Sequence, residues 1–299
     1  MIMSSPAAVI IVIYGLLFFS LVAGVLFWRR HQRKDRRPFS DYLKLLRGPG
    51  ETQLKLVRKL EEDSAQHLLL AFITPWLAAL ALFWITTHLA GAAQLIGLVA
   101  ALLALLAILF FSARYLVGKI EESNNRYLGF FGERIVAEAL DPLKARGWLV
   151  FHDVPCGDPK SPFNIDHVVV GPGGVFAIET KPRRKGRHRD GFAAHEIIYD
   201  GAVLAYPWGE DRHGLEQSQR QAEWLSGWLA QQLGLHATVW PILTFPGWMI
   251  IRRGTGTVVV LNPKELPAAI ESRPAGALDA QQIDLIARQL DARCRDVEF

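Results

Sequence analysis

Cysteine is scarce in this 299-residue chain: it has two, Cys156 and Cys294, and no Cys-x-x-Cys pair. Two isolated cysteines without metal-ligand spacing exclude a disulfide-rich scaffold and a cysteine-based zinc site. Internal repeats and low-complexity segments are also absent, which excludes repeat arrays and biased linkers. We expect both cysteines to be free thiols in a reducing compartment.

Charged residues are missing from two long stretches, residues 7–28 and residues 68–112. An apolar stretch of about 20 residues is long enough to cross a bilayer as a helix. The second stretch is too long for one crossing, and its less apolar residues 86–94 divide it in two. The sequence therefore predicts three transmembrane helices, one within residues 1–28 and a helical hairpin within residues 68–117.

A cleaved signal peptide is the alternative interpretation of the first stretch. Signal peptides begin with a basic region and have a short apolar core. No Lys or Arg precedes Arg29 here, and the apolar run is longer than such a core. An uncleaved anchor is therefore the favoured interpretation.

The distribution of basic residues predicts the orientation in the membrane. Residues 29–37 contain six Lys or Arg, and Arg114 and Lys119 follow the third apolar segment, whereas its preceding turn has neither residue type. Because Lys and Arg accumulate on the cytoplasmic side, we expect the N-terminus outside and the rest of the chain inside a bacterial inner membrane. The spans lack the ionisable residues expected along a transport path, which argues against a transporter.

The chain thus divides into four predicted segments. They are a first transmembrane helix (1–28), a basic cytoplasmic loop (29–67), a transmembrane hairpin (68–117) and a cytoplasmic domain (118–299). Residues 38–67 could form a solvated connecting helix or lie on the membrane surface, and the first is favoured. Composition from about Glu121 onward is typical of an α/β domain.

Periodicity within the last segment predicts alternating helices and strands. Helices are predicted at 132–140, 215–233, 266–270 and 280–294, and strands at 148–154, 164–170, 174–181, 239–245, 249–251 and 257–261, with a strand–turn–strand unit at 194–205. The pattern indicates a mixed β-sheet flanked by helices.

Two apolar strands joined by a Gly/Pro turn carry the most informative residues. Asp166 lies inside the first, and Glu179 and Lys181 lie on the second. Because side chains alternate along a strand, Glu179 and Lys181 point to the same face as Val175 and Ala177. Two carboxylates and one lysine on rigid strands can hold a divalent metal and activate a water. An exposed ion pair of little energetic value is the alternative interpretation.

Several short motifs follow one another in residues 125–270: Gly132-Glu133, Ile165-Asp166-His167, the run from Gly174 to Lys181, Asp200-Gly201 and Gln217. In this order they resemble the NERD (nuclease-related) domain, a branch of the PD-(D/E)XK nuclease superfamily. The sequence departs from the family pattern at His213-Gly214 and at Pro182. The resemblance implies a restriction-endonuclease-like sheet core and hydrolysis of phosphodiester bonds in nucleic acid, with DNA the favoured substrate and RNA the alternative.

The resemblance also implies roles for individual residues. It predicts a catalytic set of Glu133, Asp166, Glu179, Lys181 and Gln217. Asp166, Glu179 and the backbone carbonyl of Thr180 would bind Mg²⁺ or Mn²⁺, because hard divalent ions prefer oxygen ligands. Lys181 would polarise the attacking water or stabilise the charged phosphate. Many members of the superfamily act as dimers, so a homodimer is one expectation.

A basic run follows the second strand directly. It comprises Arg183, Arg184, Lys185, Arg187 and Arg189. Such a cluster is typical of contacts with nucleic-acid phosphates, whereas a solvated loop or a patch on anionic lipid is the alternative. Since no base-reading element is evident, we expect little sequence specificity.

Two functions remain in view at this point. The first is a membrane-anchored, metal-dependent nuclease. The second is a catalytically weak or inactive module of the same fold that binds nucleic acid or a protein at the membrane. The complete Asp-Glu-x-Lys set favours the enzyme.

Overall fold

The computed structural model describes residues 17, 20–25, 27–28, 44–86, 90–158, 161–186, 193–274 and 276–297. By contacts the chain divides into two units, Met1–Lys44 and Leu45–Phe299. In the first unit, the described residues 20–25 and 27–28 are helical. Most of the first predicted transmembrane helix and all of the basic residues at 29–37 lie outside the described residues.

The second unit begins with a short strand and two long helices. Strand β1 (Leu45–Leu46) precedes helices α1 (Glu51–Thr86) and α2 (Ala92–Lys144). α2 runs without interruption through residue 118, so the helix predicted at 132–140 is the end of a much longer one. Pro142 lies inside the last turn of α2 and does not end it at residue 141.

The remaining elements alternate between strands and helices. The strands are β2 (Leu149–Asp158), β3 (Ser161–Gly171), β4 (Gly174–Thr180), β5 (Glu196–Tyr199), β6 (Leu204–Tyr206), β7 (Gly209–Asp211), β8 (Val239–Thr244), β9 (Met249–Arg252), β10 (Val259–Leu261) and β11 (Arg295–Val297). The helices are α3 (His213–Leu233), a 3₁₀ turn at Pro263–Glu265, α4 (Leu266–Glu271) and α5 (Ala280–Cys294).

The central sheet has five strands in the order β10-β8-β4-β3-β2. β10, β8 and β4 are mutually parallel, whereas β3 is antiparallel to both β4 and β2. A second sheet has the order β7-β6-β5-β9, and β1 pairs with β11. The predicted mixed sheet with flanking helices is therefore confirmed.

Strand β4 shows why the sheet is covered on both faces. All seven of its residues are buried. Val175 and Ala177 pack with Leu225 of α3 and Ile286 of α5, whereas Phe176 packs on the other face with Leu140 of α2. A strand buried on both faces reads as a continuous apolar run rather than an alternating one. This packing fixes the direction in which the last residues of β4 point.

The prediction of three transmembrane helices is not supported. Among the residues that the structure describes, one helix, α2, is long and apolar enough to cross a membrane. The segment predicted as the second span is the apolar end of α1, a helix whose charged first half begins at Glu51. Among the described side chains in the apolar part of α2, none is buried.

Candidate active site

Strands β3 and β4 separate at the end of their shared ladder. The ladder runs from Gly171–Gly174 to His167–Ile178, and Asp166 and Glu179 have no paired position in it. Beyond the end of this ladder, the backbone N–H of Thr180 in β4 donates to Oδ2 of Asp166 at 2.7 Å. The Asp166 carboxylate thus takes the place of a backbone acceptor, and the opening between the strands forms the candidate site.

Glu179 and Lys181 are held together on the α3 face of β4. Glu179 is 3% exposed, and its Oε1 lies 2.6 Å from Nζ of Lys181. Gln217 joins them, because its Nε2 donates to Glu179 Oε1 at 2.7 Å and its Oε1 accepts from Lys181 Nζ at 2.8 Å. The three predicted residues therefore form a closed ring of hydrogen bonds. An exposed ion pair on a solvated strand, the alternative interpretation, is inconsistent with this burial.

Gln221, which the sequence interpretation missed, completes the surroundings of Glu179. Its Nε2 donates to Oε2 of Glu179 at 2.6 Å and to the carbonyl of Asn164 at 3.1 Å. Residues four apart on a helix share a face, so the position of Gln217 could have pointed to Gln221. The two glutamines together orient both oxygens of Glu179.

Glu133 extends from α2 toward the same opening. It is 5% exposed, and its Oε2 has no hydrogen-bond partner among the described residues. Burial, and then the charges of Asp153 and Glu179, raises the pKa of Glu133 to about 8. The nearby backbone N–H of Gly50 acts in the opposite direction. Glu133 is therefore a buried carboxyl that can hold a proton near neutral pH.

The sequence interpretation also missed an acidic residue, Asp153, which faces Asp166 across β2 and β3. Both positions are skipped in the β2–β3 ladder, and Asp153 has a left-handed φ of +49°. Its Oδ2 accepts from the N–H and the hydroxyl of Thr52, at 2.9 and 2.7 Å, and from Arg47 at 3.0 Å. Asn164 Nδ2 donates to Oδ1 at 2.9 Å. Asp153 thereby ties the chain before α1 to the sheet.

Arg47 is itself fixed from two sides. Besides Asp153, it contacts Asp296 of β11 through Nε at 2.6 Å and Nη2 at 2.5 Å. Backbone pairing of β1 with β11 holds the same segment. A bidentate Arg–carboxylate pair fixes geometry as well as charge. The segment from Leu45 to Thr52 is thus part of the wall of the site.

The histidine beside Asp166 has no ligand role in this arrangement. His167 is fully buried, and its Nδ1 lies 2.8 Å from Nδ1 of His152. Burial lowers the pKa of His152 to about 4 and that of His167 well below its ordinary value. Both rings are consequently neutral, with one nitrogen donating to the other.

Negative charge exceeds positive charge around the opening. Burial, followed by Glu179 and Glu133, raises the pKa of Asp166 well above its ordinary value. Within the described ranges, no three His, Cys, Asp or Glu side chains come close enough together to form a metal site. The unpartnered Glu133 Oε2 and the excess of carboxylates nevertheless suit a hard divalent cation, which would offset their repulsion.

The two departures from the family pattern both pack against the site. A Cβ added at Gly132 would lie 2.7 Å from Cβ of Pro182, so the proline fits against the glycine beside Glu133. A Cβ at Gly214 would lie 3.1 Å from Leu243 and 3.8 Å from Cγ of Lys181. Both departures therefore preserve close packing around the predicted catalytic residues.

Part of the basic run that follows β4 lies on the described surface. Arg183 contacts Asp211 at 3.3 Å, and Arg184 donates to Asn125 of α2 at 3.3 Å. Lys185 lies over the ring of Trp248, 5.7 Å from its centroid. Arg187 and Arg189 lie outside the described residues.

Residues 128–246 match the family described as NERD, the nuclease-related domain. The match includes all five predicted catalytic residues and ends before β9. No curated protein and no solved structure matches the chain. The segment from Leu45 to Thr52, which contacts Asp153, lies outside the matched residues.

Proposed function

We propose that this protein is a nuclease that hydrolyses phosphodiester bonds of DNA or RNA with the help of Mg²⁺ or Mn²⁺. One observation carries the proposal: the hydrogen-bonded ring of Glu179, Lys181 and Gln217 beside Asp166, in a segment that matches a nuclease-related family. A buried charge pair is costly to keep in a fold, and perturbed carboxyls in an opening are typical of functional sites.

The chain's own groups have distinct roles in this proposal. Lys181, held by Glu179 and Gln217, points a fixed positive charge at the opening, where a phosphate gains negative charge during attack. Glu133, with a pKa of about 8, is suited to exchange a proton with a water molecule near neutral pH. Gln217 and Gln221 keep the Glu179 carboxylate in one orientation.

Asp166, Glu179 and the carbonyl of Thr180 would hold the metal ion. Oδ2 of Asp166 already accepts from Thr180, and Oε1 of Glu179 accepts two hydrogen bonds. Oδ1 of Asp166 and Oε2 of Glu179, which accepts one bond, are the oxygens left for a cation. When bound, a divalent ion would supply charge neutralisation and a more acidic water.

The substrate would be held mainly through its phosphates. Arg183, Arg184 and Lys185 directly follow the strand that carries Lys181, and Arg187 and Arg189 continue the run in the sequence. Binding through phosphates releases counterions, so we expect affinity to fall steeply as salt increases. Little sequence preference follows from such contacts.

Attachment to a bacterial inner membrane is part of the proposal. The apolar half of α2 exposes large side chains, among them Leu103 at 61%, Phe110 at 63% and Phe111 at 66%. Leu68, Leu69 and Leu70 of α1 are exposed as well. Exposed apolar surface of this extent is stable in lipid and unfavourable in water. Arg114, Lys119 and the basic residues 29–37 favour a cytoplasmic location for the nuclease-like domain.

The decisive experiment uses the full chain purified in detergent. It is incubated with labelled single- and double-stranded DNA and RNA in Mg²⁺, Mn²⁺ or EDTA. Asp166→Ala and Lys181→Ala are compared with Asp284→Ala and Lys264→Ala, matched substitutions of exposed residues outside the site. We expect metal-dependent cleavage by the wild type and both controls, and a loss of at least a hundredfold in the two site variants.

Two other results would contradict the proposed nuclease. Cleavage that survives Asp166→Ala and Lys181→Ala would assign the activity to a contaminant or another site. A folded wild type that binds nucleic acid but cleaves none of the four substrates with either metal would overturn the enzyme. The inactive binding module would then be the better description.

A further inference from the structure

The turn between β6 and β7 presents a tryptophan to solvent beside the candidate site. Trp208 is 47% exposed, although its ring stacks on that of Tyr206, with centroids 5.2 Å apart and planes 13° from parallel. The ring of Trp248 meets that of Trp208 edge-on, with centroids 5.6 Å apart. Tyr206, Trp208 and Trp248 together form an aromatic wall, in which the first and third residues are buried and Trp208 is open.

Cations of the basic run lie against this wall. The guanidinium of Arg183 is 5.9 Å from the centroid of Tyr206, and Nζ of Lys185 is 5.7 Å from that of Trp248. The indole N–H of Trp248 donates to the carbonyl of Arg183 at 3.0 Å, which fixes the backbone of the run to the wall. A fixed surface thus combines an open indole ring with positive charge.

The wall is close to the candidate catalytic lysine. Arg183 is two residues after Lys181, and two residues of extended chain span at most about 7 Å. Arg183 also contacts Asp211, whose Oδ1 accepts from the backbone N–H of His213 at the start of α3, the helix that carries Gln217. A strand that follows the basic run from Lys181 would therefore pass the aromatic wall.

Exposed aromatic rings beside cations are characteristic of single-strand binding, in which bases stack on the rings and cations contact the backbone. In a duplex the bases already stack on one another and face away from such a surface. A purely structural role would bury Trp208 as it buries Tyr206 and Trp248. Gly186 lies beside Cε3 and Cζ3 of Trp208, and the exposed remainder of the ring is available to a base.

We propose that Trp208 stacks on the base of an unpaired nucleotide in a strand held by the basic run beside the candidate site. The preferred substrate class is then a single strand or an unpaired end. This inference rests on the proposed nuclease function for its substrate, whereas base stacking itself can be measured without cleavage.

The test measures binding by the full chain in detergent and EDTA, so that no metal-dependent cleavage occurs. The probes are a twelve-nucleotide thymidine oligomer and an abasic oligomer with the same phosphates and no bases. Trp208→Ala and Trp208→Phe are compared with Leu285→Ala, an exposed apolar residue of α5 outside the aromatic wall. Circular dichroism checks that each variant is folded.

We expect Trp208→Ala to weaken binding of the thymidine oligomer about tenfold and to leave binding of the abasic oligomer unchanged. Trp208→Phe should retain most of the affinity, and Leu285→Ala all of it. The proposal is overturned if Trp208→Ala binds both oligomers as the wild type does, or loses affinity for both equally.

The two proposals fail separately. Metal-dependent cleavage by the wild type, without any effect of Trp208→Ala on the difference between the two oligomers, would retain the nuclease and reject the stacking residue. Base-dependent binding that requires Trp208, in a protein that cleaves nothing, would retain the stacking residue and reject the nuclease.

Discussion

The backbone N–H of Gly50 lies near the carboxylate of Glu133 and opposes the burial that raises the pKa of this carboxyl. The turn that begins α1 therefore reaches a candidate catalytic residue 83 positions later in the sequence. Because the N-terminal end of a helix carries partial positive charge, this contact favours the ionised form of Glu133. The candidate site thus depends on residues before the two long helices as well as on the matched family segment.

Gly50→Ala should destabilise the protein and weaken cleavage together. Gly50 has a φ of +73°, and an added Cβ would lie 2.7 Å from Cδ2 of Phe130 and 3.2 Å from its Cα. We expect the free energy of unfolding to fall by about 2 kcal/mol. Denaturant titration measures the loss. Gly227→Ala is the control, since nothing lies within 4 Å of its added Cβ and alanine favours the helix by about 1 kcal/mol.

Glu133→Gln should remove a pH-dependent cost of folding. The pKa of Glu133 is about 8 in the folded protein, above its ordinary 4.5, so the unfolded chain loses this proton first as pH rises. Stability therefore falls between about pH 4.5 and pH 8, and the cost is fully present above pH 8. We expect Glu133→Gln to be more stable than the wild type by up to about 5 kcal/mol at pH 8.5, with little difference at pH 4.5. Thermal unfolding at both pH values tests this. Equal gains at both would show that the gain does not come from the proton.

Gln221→Ala should impair catalysis more than folding. The substitution frees Oε2 of Glu179 from its 2.6 Å hydrogen bond and lets the carboxylate rotate. Misplacing a group in a preorganised site commonly costs tenfold or more in rate, so we expect kcat to fall at least about tenfold. Gln219→Ala, an exposed position on the same helix, is the matched control. Equal rates for both variants would remove Gln221 from the site.

Asp153→Ala should be strongly destabilising. Asp153 is 3% exposed and binds Arg47, Thr52 and Asn164, so its removal leaves several buried polar groups without a partner. We expect a loss of about 3 kcal/mol in unfolding free energy. Asp153→Asn should lose less, because asparagine tolerates the left-handed φ of +49° and keeps an acceptor oxygen. Denaturant titrations that rank the two variants in the opposite order would contradict this role.

Replacing Arg184 and Lys185 together by alanine should reduce the salt dependence of nucleic-acid binding. Each phosphate contact contributes about 0.7 to the slope of log K against log salt for a single strand. We expect the slope to decrease by about 1.4 for the double variant, measured by fluorescence anisotropy in EDTA. Lys264→Ala should leave the slope unchanged. An unchanged slope in the double variant would mean that these cations do not contact phosphates.

The hairpin of β3 and β4 could be predicted because local rules determine it. Apolar runs on either side of a Gly/Pro turn specify two strands, and alternation places Glu179 and Lys181 on one face. The same reasoning located α3 to within two residues, at His213–Leu233. Gln221 could have been found too, since it lies one turn after Gln217.

Other features depend on contacts between residues distant in sequence. Nothing in the sequence near Arg47 or Thr52 indicates that Asp153 lies beside them. The pairing of β1 with β11, at opposite ends of the domain's sequence, holds the segment that contains Arg47. Local signals also misplaced the end of α2: Asp141-Pro142 normally stops a helix, but packing of Leu140 and Leu143 in the core holds its last turn. Apolar length alone predicted three membrane-crossing helices, whereas the described residues contain one helix that is long and apolar enough.

The uninterrupted course of α2 sets the distance between its apolar part and the candidate site. From Arg114, the first charge after its apolar part, to Glu133 the helix rises about 28 Å at 1.5 Å per residue. With the apolar part in the bilayer, as proposed, α2 holds the cleavage site at a constant height above the lipid. Nucleic acid would then be cut only within that narrow zone next to the membrane, whatever its sequence.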